Sequence, residues 1–276
     1  MRQVPEKTIS RTPRYAVLGN GRLAAHWRHY LTLLGHSVVC WSRDGDPAAN
    51  CFSHIPDAEE RLAATLAEAD VALVLISDHA IASFVSKHAG GHDTAGQPPA
   101  WVHCAASVDI PAAFCAHPLM TFSHRLYALT HYQAIYFACD DPHRFRHLFP
   151  ALSNPVFAMS AELRTHYHAL CAMIGNFPQI LWQQCQAELI RLGVPTGAIE
   201  PYLHQVLANF LDSPHTALTG PLTRGDDATI ARHRQSLQNS PPLAALYDAF
   251  VTFYRQASET ASLPDPALTR SPHVHS

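Results

Sequence analysis

The stretch "VLGNGRLAAHW" (residues 17–27) places a Gly-x-Gly-x-x-Ala pattern directly after an apolar segment, "RYAVL" (14–18). A strand, a tight glycine turn and a helix in this order can cradle the pyrophosphate of a dinucleotide. Gly19 would permit the sharp turn, Gly21 would let the backbone approach the phosphates, and Ala24 would let helix and sheet pack closely. The alternative is a glycine turn that holds no ligand. The pattern predicts a strand–turn–helix unit with a dinucleotide at the start of the helix.

Apolar, strand-sized segments alternate with amphipathic helical segments in the first part of the chain. The strand segments are unbroken apolar runs, which is typical of a parallel sheet covered by helices on both faces. Strands are predicted over residues 14–18, 37–41, 70–76, 100–106, 133–139 and 155–159, with helices over residues 23–34, 57–69 and 79–89. We therefore predict an α/β fold, with a Rossmann-type doubly wound parallel sheet over residues 14–159.

After the last predicted strand the pattern becomes helical throughout. A long helical segment covers residues 160–193, and Pro178 inside it is expected to kink or break the helix. Three further helices are predicted over residues 197–212, 227–239 and 241–259. The chain is thus expected to continue as a smaller all-helical domain over residues 160–261. Residues 1–13 are predicted to be a flexible extension and residues 262–276 a disordered tail.

The end of the second predicted strand, "CWSRD" (40–44), bears on the choice of cofactor. A site for NAD has an acidic side chain here, which accepts hydrogen bonds from the ribose hydroxyls. Ser42 and Arg43 stand at this point instead, and a hydroxyl with a guanidinium suits the 2′-phosphate of NADP. Asp44 would take the NAD role if the strand ended one residue later. NADP is therefore the predicted cofactor, and NAD is the alternative.

The segment "LISDHAI" (75–81) follows the third predicted strand, where a loop should line the cofactor crevice. Ser77 and Asp78 would contact ribose or phosphate there, although Asp78 could instead cap a helix that begins near Ala80. The complete set of predicted cofactor contacts is Gly19, Asn20, Gly21, Arg22, Leu23, Ser42, Arg43, Ser77 and Asp78.

Composition argues against several other classes of protein. The 276 residues are 47% hydrophobic and 15% charged with a formal net charge of −3, which predicts no binding to nucleic acid or to an anionic membrane. The apolar runs are too short to span a bilayer, and the N-terminal stretch lacks the hydrophobic region of a secretory signal. Seven cysteines without a Cys-x-x-Cys pair indicate reduced thiols and a cytoplasmic protein.

Twenty histidines raise the question of a metal site. The chain has no His-Glu-x-x-His motif and no clustered carboxylates to complete a set of ligands, so we predict no bound metal. A metal-dependent hydrolase is a hypothesis that would rest on the abundance of histidine alone.

One helical stripe in the second predicted domain carries side chains that a reductase needs. It is formed by residues spaced by four, which fall along one side of a helix: Arg164, His168, Ala172 and Asn176. Reduction of a carbonyl or imine needs a proton donor and polar groups that orient the substrate. His168 is the predicted proton donor, and Asn176 the group that polarises the reacting bond. The alternative is that His168 is simply a half-buried residue of the helix.

Three further polar residues complete the predicted substrate site. In "TRGDD" (223–227), Arg224 would grip a substrate carboxylate, and Asp226 would orient the substrate or a catalytic histidine. Asp226 or Asp227 should also cap the following helix. His117 is expected at the carboxyl end of a strand, where it would contact substrate or make a local hydrogen bond.

Four stretches outside the glycine turn carry a family resemblance: "HCAAS" (103–107), "AHPLMTF" (116–122), "RTHYHALCAMIGNF" (164–177) and "TGPLTRGDDATIARH" (219–233). They resemble a bacterial family of Rossmann-like oxidoreductases with a DUF2520-type helical C-terminal domain. The last stretch is the most specific, and the resemblance spans roughly residues 14–255. The family is distantly similar to ketopantoate reductases, pyrroline-5-carboxylate reductases and beta-hydroxyacid dehydrogenases.

The resemblance implies an NADPH-dependent reductase of a small 2-oxo acid or imine, with a ketopantoate-like substrate as the leading candidate. Ketopantoate reductases and beta-hydroxyacid dehydrogenases use a helical lysine with an asparagine four or eight residues later. Here His168 stands in place of that lysine, with Asn176 eight residues on; an imidazole donates a proton near neutral pH but is a weaker fixed charge. The missing lysine leaves open a non-catalytic NADP-binding sensor or interaction module. A homodimer is also implied, for which the apolar face of residues 241–254 could serve.

Overall fold

The computed structural model describes residues 12–43, 50–89 and 98–259. The predictions for Asp44, for most of the N-terminal extension and for the C-terminal tail lie outside these residues. The chain divides into two compact units, Met1–Gln183 and Gln184–Ser276. Each unit is described by itself below.

A seven-stranded sheet forms the centre of the first unit. Its strands are β1 (Tyr15–Leu18), β2 (Val38–Trp41), β3 (Val71–Val74), β4 (Ala100–His103), β5 (Phe114–Pro118), β6 (Phe137–Cys139) and β7 (Val156–Ala158). They are arranged in the order β2-β1-β3-β4-β5-β6-β7, and all neighbours are parallel except β5 and β6. The predicted fold class is confirmed. The sequence placed His117 at the carboxyl end of a strand but did not predict the bounds of that strand, β5.

Helices connect most of the strands. They are α1 (Arg22–Leu33), α2 (Ala58–Ala67), α3 (Asp78–Ala89), α4 (Leu129–Gln133) and α5 (Pro142–Leu148), and α6 (Ala161–Arg191) follows the last strand. Capping explains two of the starts: the carboxylate of Asp57 accepts hydrogen bonds from two amides of α2, and that of Asp141 accepts one from α5. The short helices α4 and α5 were not predicted.

Apolar side chains cover both faces of the sheet. Along β1, Tyr15 and Val17 belong to one buried cluster, whereas Ala16 and Leu18 belong to the other. Successive side chains of a strand point to opposite faces, so a wholly apolar strand needs a core on each side. Ala24 of α1 is fully buried in the first of these clusters, as the expected close packing of helix and sheet requires.

The turn after β1 depends on a glycine. Gly19 has a φ of +128°, and a Cβ atom built on it would lie 2.3 Å from the carbonyl oxygen of Leu75. Side chains are rarely tolerated at such a φ, and no Cβ fits so close to a backbone oxygen. Gly19 therefore lets the chain turn from β1 into α1 directly against the end of β3.

The helix α6 continues through Pro178 for 31 residues, so the expected break is wrong. A proline removes one backbone donor from the ladder of helical hydrogen bonds. The side chain of Gln179 donates to the carbonyl of Gly175 at 2.7 Å, beside the carbonyl that loses its partner. One missing donor in so long a helix does not end it.

The second unit is helical, as predicted, with α7 (Ile199–Asp212), α8 (Pro221–Arg224), α9 (Asp227–Ser236) and α10 (Pro241–Glu259). A short 3-10 turn, Thr196–Ala198, precedes α7. Polar pairs fasten α9 to α10: Arg234 lies 2.6 Å from Asp248, Arg255 pairs with Asp227, and His233 lies 3.0 Å from the hydroxyl of Tyr247.

The described residues contain neither a membrane-spanning helix nor a cluster of metal ligands, and their cysteines are unpaired. None of their helices is both long and apolar enough to cross a membrane. No group of three or more metal-ligating side chains occurs among them. All seven cysteines lie in this part of the chain, and each is a free thiol.

Candidate functional site

A large cavity opens at the carboxyl ends of the parallel strands in the first unit. Its volume is about 1230 Å³, and its walls come from the segments that follow β1, β2, β3, β4 and β5 and from α6. In open α/β sheets, ligands bind in the crevice at this edge. The cavity is therefore the candidate functional site.

All of the predicted cofactor contacts lie on the wall of this cavity. They come from three stretches of chain: Gly19, Asn20, Gly21, Arg22 and Leu23; Ser42 and Arg43; and Ser77 and Asp78. Their roles stay predictions, but the fold brings the three separate stretches to one place.

The start of α1 has the features of an anion cradle. Gly21 precedes the helix without a side-chain cap, and no acidic residue stands in the first turn. The φ of Gly21 is an ordinary −70°, and a Cβ atom there would meet nothing within 4 Å. The chain's own packing therefore does not require this glycine. The open space before the helical N–H groups fits a phosphate of a dinucleotide.

At the end of β2, Ser42 is buried and bonded to Asn50. Its amide donates to the Asn50 side-chain oxygen at 2.9 Å, and its hydroxyl oxygen accepts from the Asn50 amide nitrogen at 3.1 Å. The hydroxyl proton is left as a possible donor. Arg43 is exposed beside it. The pair presents a hydroxyl and a guanidinium where the sequence analysis expects the adenosine ribose.

Asp78 does not cap a helix near Ala80, because α3 begins at Asp78 itself. The amide of Ala80 bonds to the carbonyl of Ser77, so the turn starts two residues earlier than expected. Ser77 and Asp78 are both exposed on the cavity wall. A carboxylate in the first turn of a helix is stabilised by the helix dipole.

Three predicted catalytic residues line the same cavity: His117, His168 and Asn176. His117 is the second-to-last residue of β5, as expected from its predicted place at a strand's carboxyl end. Its ring centroid lies 5.4 Å from that of His168, with the two planes at 84°. Burial, followed by the nearby His168, lowers the pKa of His117 to about 4. At neutral pH the ring of His117 is uncharged.

Arg164 is not presented to the cavity, contrary to the expected stripe. It is only 4% exposed, and its guanidinium lies 3.0 Å from Asp109 and 2.8 Å from Asp140. An α-helix turns roughly 40° beyond a full turn every four residues, so Arg164 and Asn176 point about 120° apart. Arg164 fastens the first turn of α6 to two loops of the sheet.

Arg224 and Asp226 belong to the second unit, where Asp226 is the N-cap of α9, as predicted. Its carboxylate accepts from the amide of Thr229 at 3.0 Å and from the Thr229 hydroxyl at 2.7 Å. Gly225 supplies the left-handed turn between α8 and α9. The contacts of Arg224 and Asp226 with a substrate stay predictions.

The sequence analysis missed two parts of the site. The segment 119–122 after β5 forms a wall of the cavity, and Tyr167 hydrogen-bonds to His117 at 3.2 Å. Both depend on β5, whose five residues "FCAHP" are three apolar residues followed by His117 and Pro118. Recognising that run as a strand would have placed the residues after it at the ligand-binding edge.

Comparison with protein families confirms the resemblance to DUF2520. Residues 140–252 match the model described as "Domain of unknown function (DUF2520)". The match begins near the end of the sheet and covers most of the helices that follow. None of the curated proteins compared with the chain matches it significantly.

Solved structures confirm the fold. A candidate NADP oxidoreductase from Bacteroides fragilis is 20% identical, with a TM-score of 0.67 over 88% of this chain and 98% of the other. A 1-pyrroline-5-carboxylate reductase from Streptococcus pyogenes is 10% identical, with a TM-score of 0.56 over 88% and 98%. An imine reductase from Myxococcus stipitatus, in complex with NADP+, is 12% identical, with a TM-score of 0.55 over 90% and 95%. With identities of 10–20%, these three matches show a shared fold and nothing about activity.

Proposed function

This chain carries a DUF2520 domain over residues 140–252, and from that premise and the cavity we propose that the protein is an NADP-dependent reductase. One observation carries the proposal: a single cavity holds both the open cradle at Gly21 and the candidate proton donor His168. We further propose a small 2-oxo acid or imine as substrate, with a ketopantoate-like 2-oxo acid as the leading candidate. The names of the related structures support this class of reaction.

The side chains on the cavity wall suit the protonation half of such a reduction. A reduced nicotinamide bound here would supply a hydride to the carbon of the C=O or C=N bond. The electron pair of that bond moves to the oxygen or nitrogen, which takes a proton from the imidazolium of His168 and leaves His168 neutral. The amide of Asn176 donates a hydrogen bond to the same atom.

For Arg224 we propose a contact with a substrate carboxylate. A guanidinium can hold a carboxylate through two parallel hydrogen bonds, which suits Arg224. Arg224 is exposed at the end of α8, next to the turn that leads to Asp226. Asp226 would orient the substrate or a catalytic histidine while it caps α9.

Turnover of reduced nucleotide tests the proposed function. Purified protein would be mixed with NADPH and a panel of 2-oxo acids, ketopantoate included, and of cyclic imines. We expect the absorbance of the reduced nicotinamide to fall with at least one of these classes, and titration calorimetry to detect NADPH binding. An absence of affinity for both NADPH and NADH would contradict the proposal.

Arg43→Ala tests the preference for NADP. A hydrogen bond to a charged group contributes about 1.5–3 kcal/mol, so losing the contact with the 2′-phosphate should weaken NADPH binding by about 10–100-fold. NADH lacks that phosphate, and its affinity should change little. Titration calorimetry of both nucleotides against both proteins measures the difference.

Lys87→Ala is the matched control for Arg43→Ala. Lys87 also lines the cavity, where it pairs with Glu59 at 2.7 Å, so its loss removes one positive charge from the same site. An equal loss of NADPH affinity in both variants would mean that the positive charge of the cavity determines NADPH affinity, and not a specific contact of Arg43. Equal losses for NADPH and NADH in Arg43→Ala would mean that Arg43 does not contact the 2′-phosphate.

A non-catalytic NADP-binding module is the second candidate. The observation that favours it is the histidine at position 168, where the resemblance to ketopantoate reductases and beta-hydroxyacid dehydrogenases implies a lysine. Among the described residues on the cavity wall the one lysine is Lys87, and it is already paired with Glu59. Tight NADPH binding without turnover of any substrate in the panel would favour this candidate over the enzyme.

We also propose a homodimer through the exposed face of α10. Leu246, Phe250 and Phe253 are 37%, 53% and 65% exposed and lie on neighbouring turns of this helix. Exposed apolar patches of this kind mark interaction surfaces. Light scattering should give twice the mass of one chain, and Phe253→Asp should reduce it to that of a single chain. A single-chain mass for the unaltered protein would contradict the proposal.

A further inference from the structure

His117 lies where β5 meets α6 on the wall of the cavity. Its ring packs edge-to-face against Tyr167 and His168, with centroids 5.5 Å and 5.4 Å away. The hydroxyl of Tyr167 lies 3.2 Å from Nδ1 of His117. On its other side Tyr167 packs against Phe157 of β7, at 6.1 Å between ring centroids. The ring that carries this hydroxyl is therefore held between two strands.

The protonation states give the hydrogen bond between Tyr167 and His117 a direction. Burial, followed by the nearby His168, lowers the pKa of His117 to about 4, which leaves the ring neutral at neutral pH. Burial, followed by a side-chain hydrogen bond with Cys171, raises the pKa of Tyr167, so its hydroxyl keeps the proton. The thiol of Cys171 is a weak donor and a weak acceptor, so it does not compete strongly with the imidazole for that proton. A phenol is the better donor and an imidazole nitrogen the better acceptor of the pair, so Tyr167 donates to Nδ1. The proton of the neutral ring is then on Nε2.

The second ring nitrogen of His117, Nε2, is the atom that this arrangement leaves available to a ligand. Within the described part of the chain, the hydrogen bonds of His117's ring are limited to the one at Nδ1. The ring lines the cavity beside His168. An N–H group without a protein partner on the wall of a ligand cavity is available to a bound molecule.

We propose that Tyr167 holds His117 as the Nε2–H tautomer, so that the neutral ring donates a hydrogen bond to the oxygen or nitrogen of the reacting double bond. This inference rests on the proposed function and separates two roles: His168 transfers the proton, whereas His117 only polarises the bond. As hydride adds to the carbon, the electron pair moves to the atom that His117 contacts. That atom takes its proton from His168, and His117 ends the step neutral, as it began. A neutral imidazole with a lowered pKa can act in this way.

Tyr167 is a positioning residue in this scheme, and its effect can be read without substrate or nucleotide. Protein isotope-labelled in its histidines would be studied at neutral pH by long-range nitrogen–proton correlation NMR, with His117→Gln identifying the signals of His117. We expect one neutral tautomer, protonated at Nε2, in the unaltered protein and a mixture of tautomers in Tyr167→Phe. Tyr136→Phe, at an exposed tyrosine, should change nothing.

An Nδ1–H tautomer or a doubly protonated ring in the unaltered protein would overturn the inference. This result does not depend on turnover. A protein that shows the Nε2–H tautomer but neither binds nor oxidises NADPH would instead count against the proposed function. The two failures are thus distinguishable.

Kinetics test the same inference at the reacting bond, with NADPH and a substrate from the panel. Tyr167→Phe should lower kcat by about 5–10-fold, as expected for one lost hydrogen bond, with the KM for NADPH unchanged. His117→Ala should lower kcat by about 10²–10³-fold, and His117→Gln, which keeps an N–H donor, should retain more activity than His117→Ala. A His117→Ala variant as fast as the unaltered enzyme would overturn the proposed role.

Discussion

Replacing His168 with alanine is expected to lower kcat for NADPH oxidation by about 10²–10⁴-fold, because the product atom would lose its proton donor. Binding of NADPH should be nearly unchanged, since the phosphate cradle lies at the start of α1 and not on α6. Stopped-flow absorbance measures the first quantity, and titration calorimetry measures the second.

His166→Ala is the matched control, because His166 is an exposed histidine on the same helix and does not line the cavity. It should keep full activity. Full kcat in both variants would show that another group donates the proton. His168 would then be a packing residue of α6. A loss of NADPH affinity equal to the loss of kcat would indicate a damaged site.

The second large effect is expected at Gly19. Gly19→Ala places a Cβ atom 2.3 Å from the Leu75 carbonyl oxygen, at a φ of +128°. Strain at such a φ costs about 1–3 kcal/mol, and the clash adds to it, so the free energy of unfolding should fall by about 3 kcal/mol or more. The melting temperature should fall by roughly 6–12 °C. Thermal unfolding followed by circular dichroism measures the change.

Gly21→Ala is the matched comparison for Gly19→Ala, because the surroundings of the two glycines differ. A Cβ at Gly21 meets nothing within 4 Å, so stability should change by no more than about 1 kcal/mol. The added methyl would occupy the space before α1, and NADPH affinity should fall by about tenfold or more. Unchanged NADPH affinity in Gly21→Ala would show that the phosphates bind elsewhere.

The sheet was predictable from the sequence because its strands are locally encoded. The run "VALVLI" (71–76) is apolar at every position, which a parallel strand buried on both faces requires. The bounds of β5 were not predicted because its few apolar residues lie among prolines. Its antiparallel pairing with β6 also has no local signature in the sequence. Boundaries shifted by up to four residues: β6 begins at Phe137 where residue 133 was predicted, and β4 ends at His103 where residue 106 was predicted. Helix starts such as Asp78 shifted because helix ends depend on the local turn.

The candidate site was predictable in part for a similar reason. The glycine turn and the residues after β2 and β3 follow from the rule that ligands bind at the carboxyl ends of strands. Arg164 was misplaced because its partners Asp109 and Asp140 lie 55 and 24 residues earlier in the chain, and no local pattern connects them. The same holds for the contact of Tyr167 with His117, 50 residues apart.

The pairing of Arg164 with Asp109 and Asp140 fixes the first turn of α6 to the loops of the sheet. These ion pairs lie one helical turn before His168, and their carboxylates come from outside the segment 119–122. Substitutions within the segment 119–122 would therefore change one wall of the cavity while this anchor of α6 stays in place.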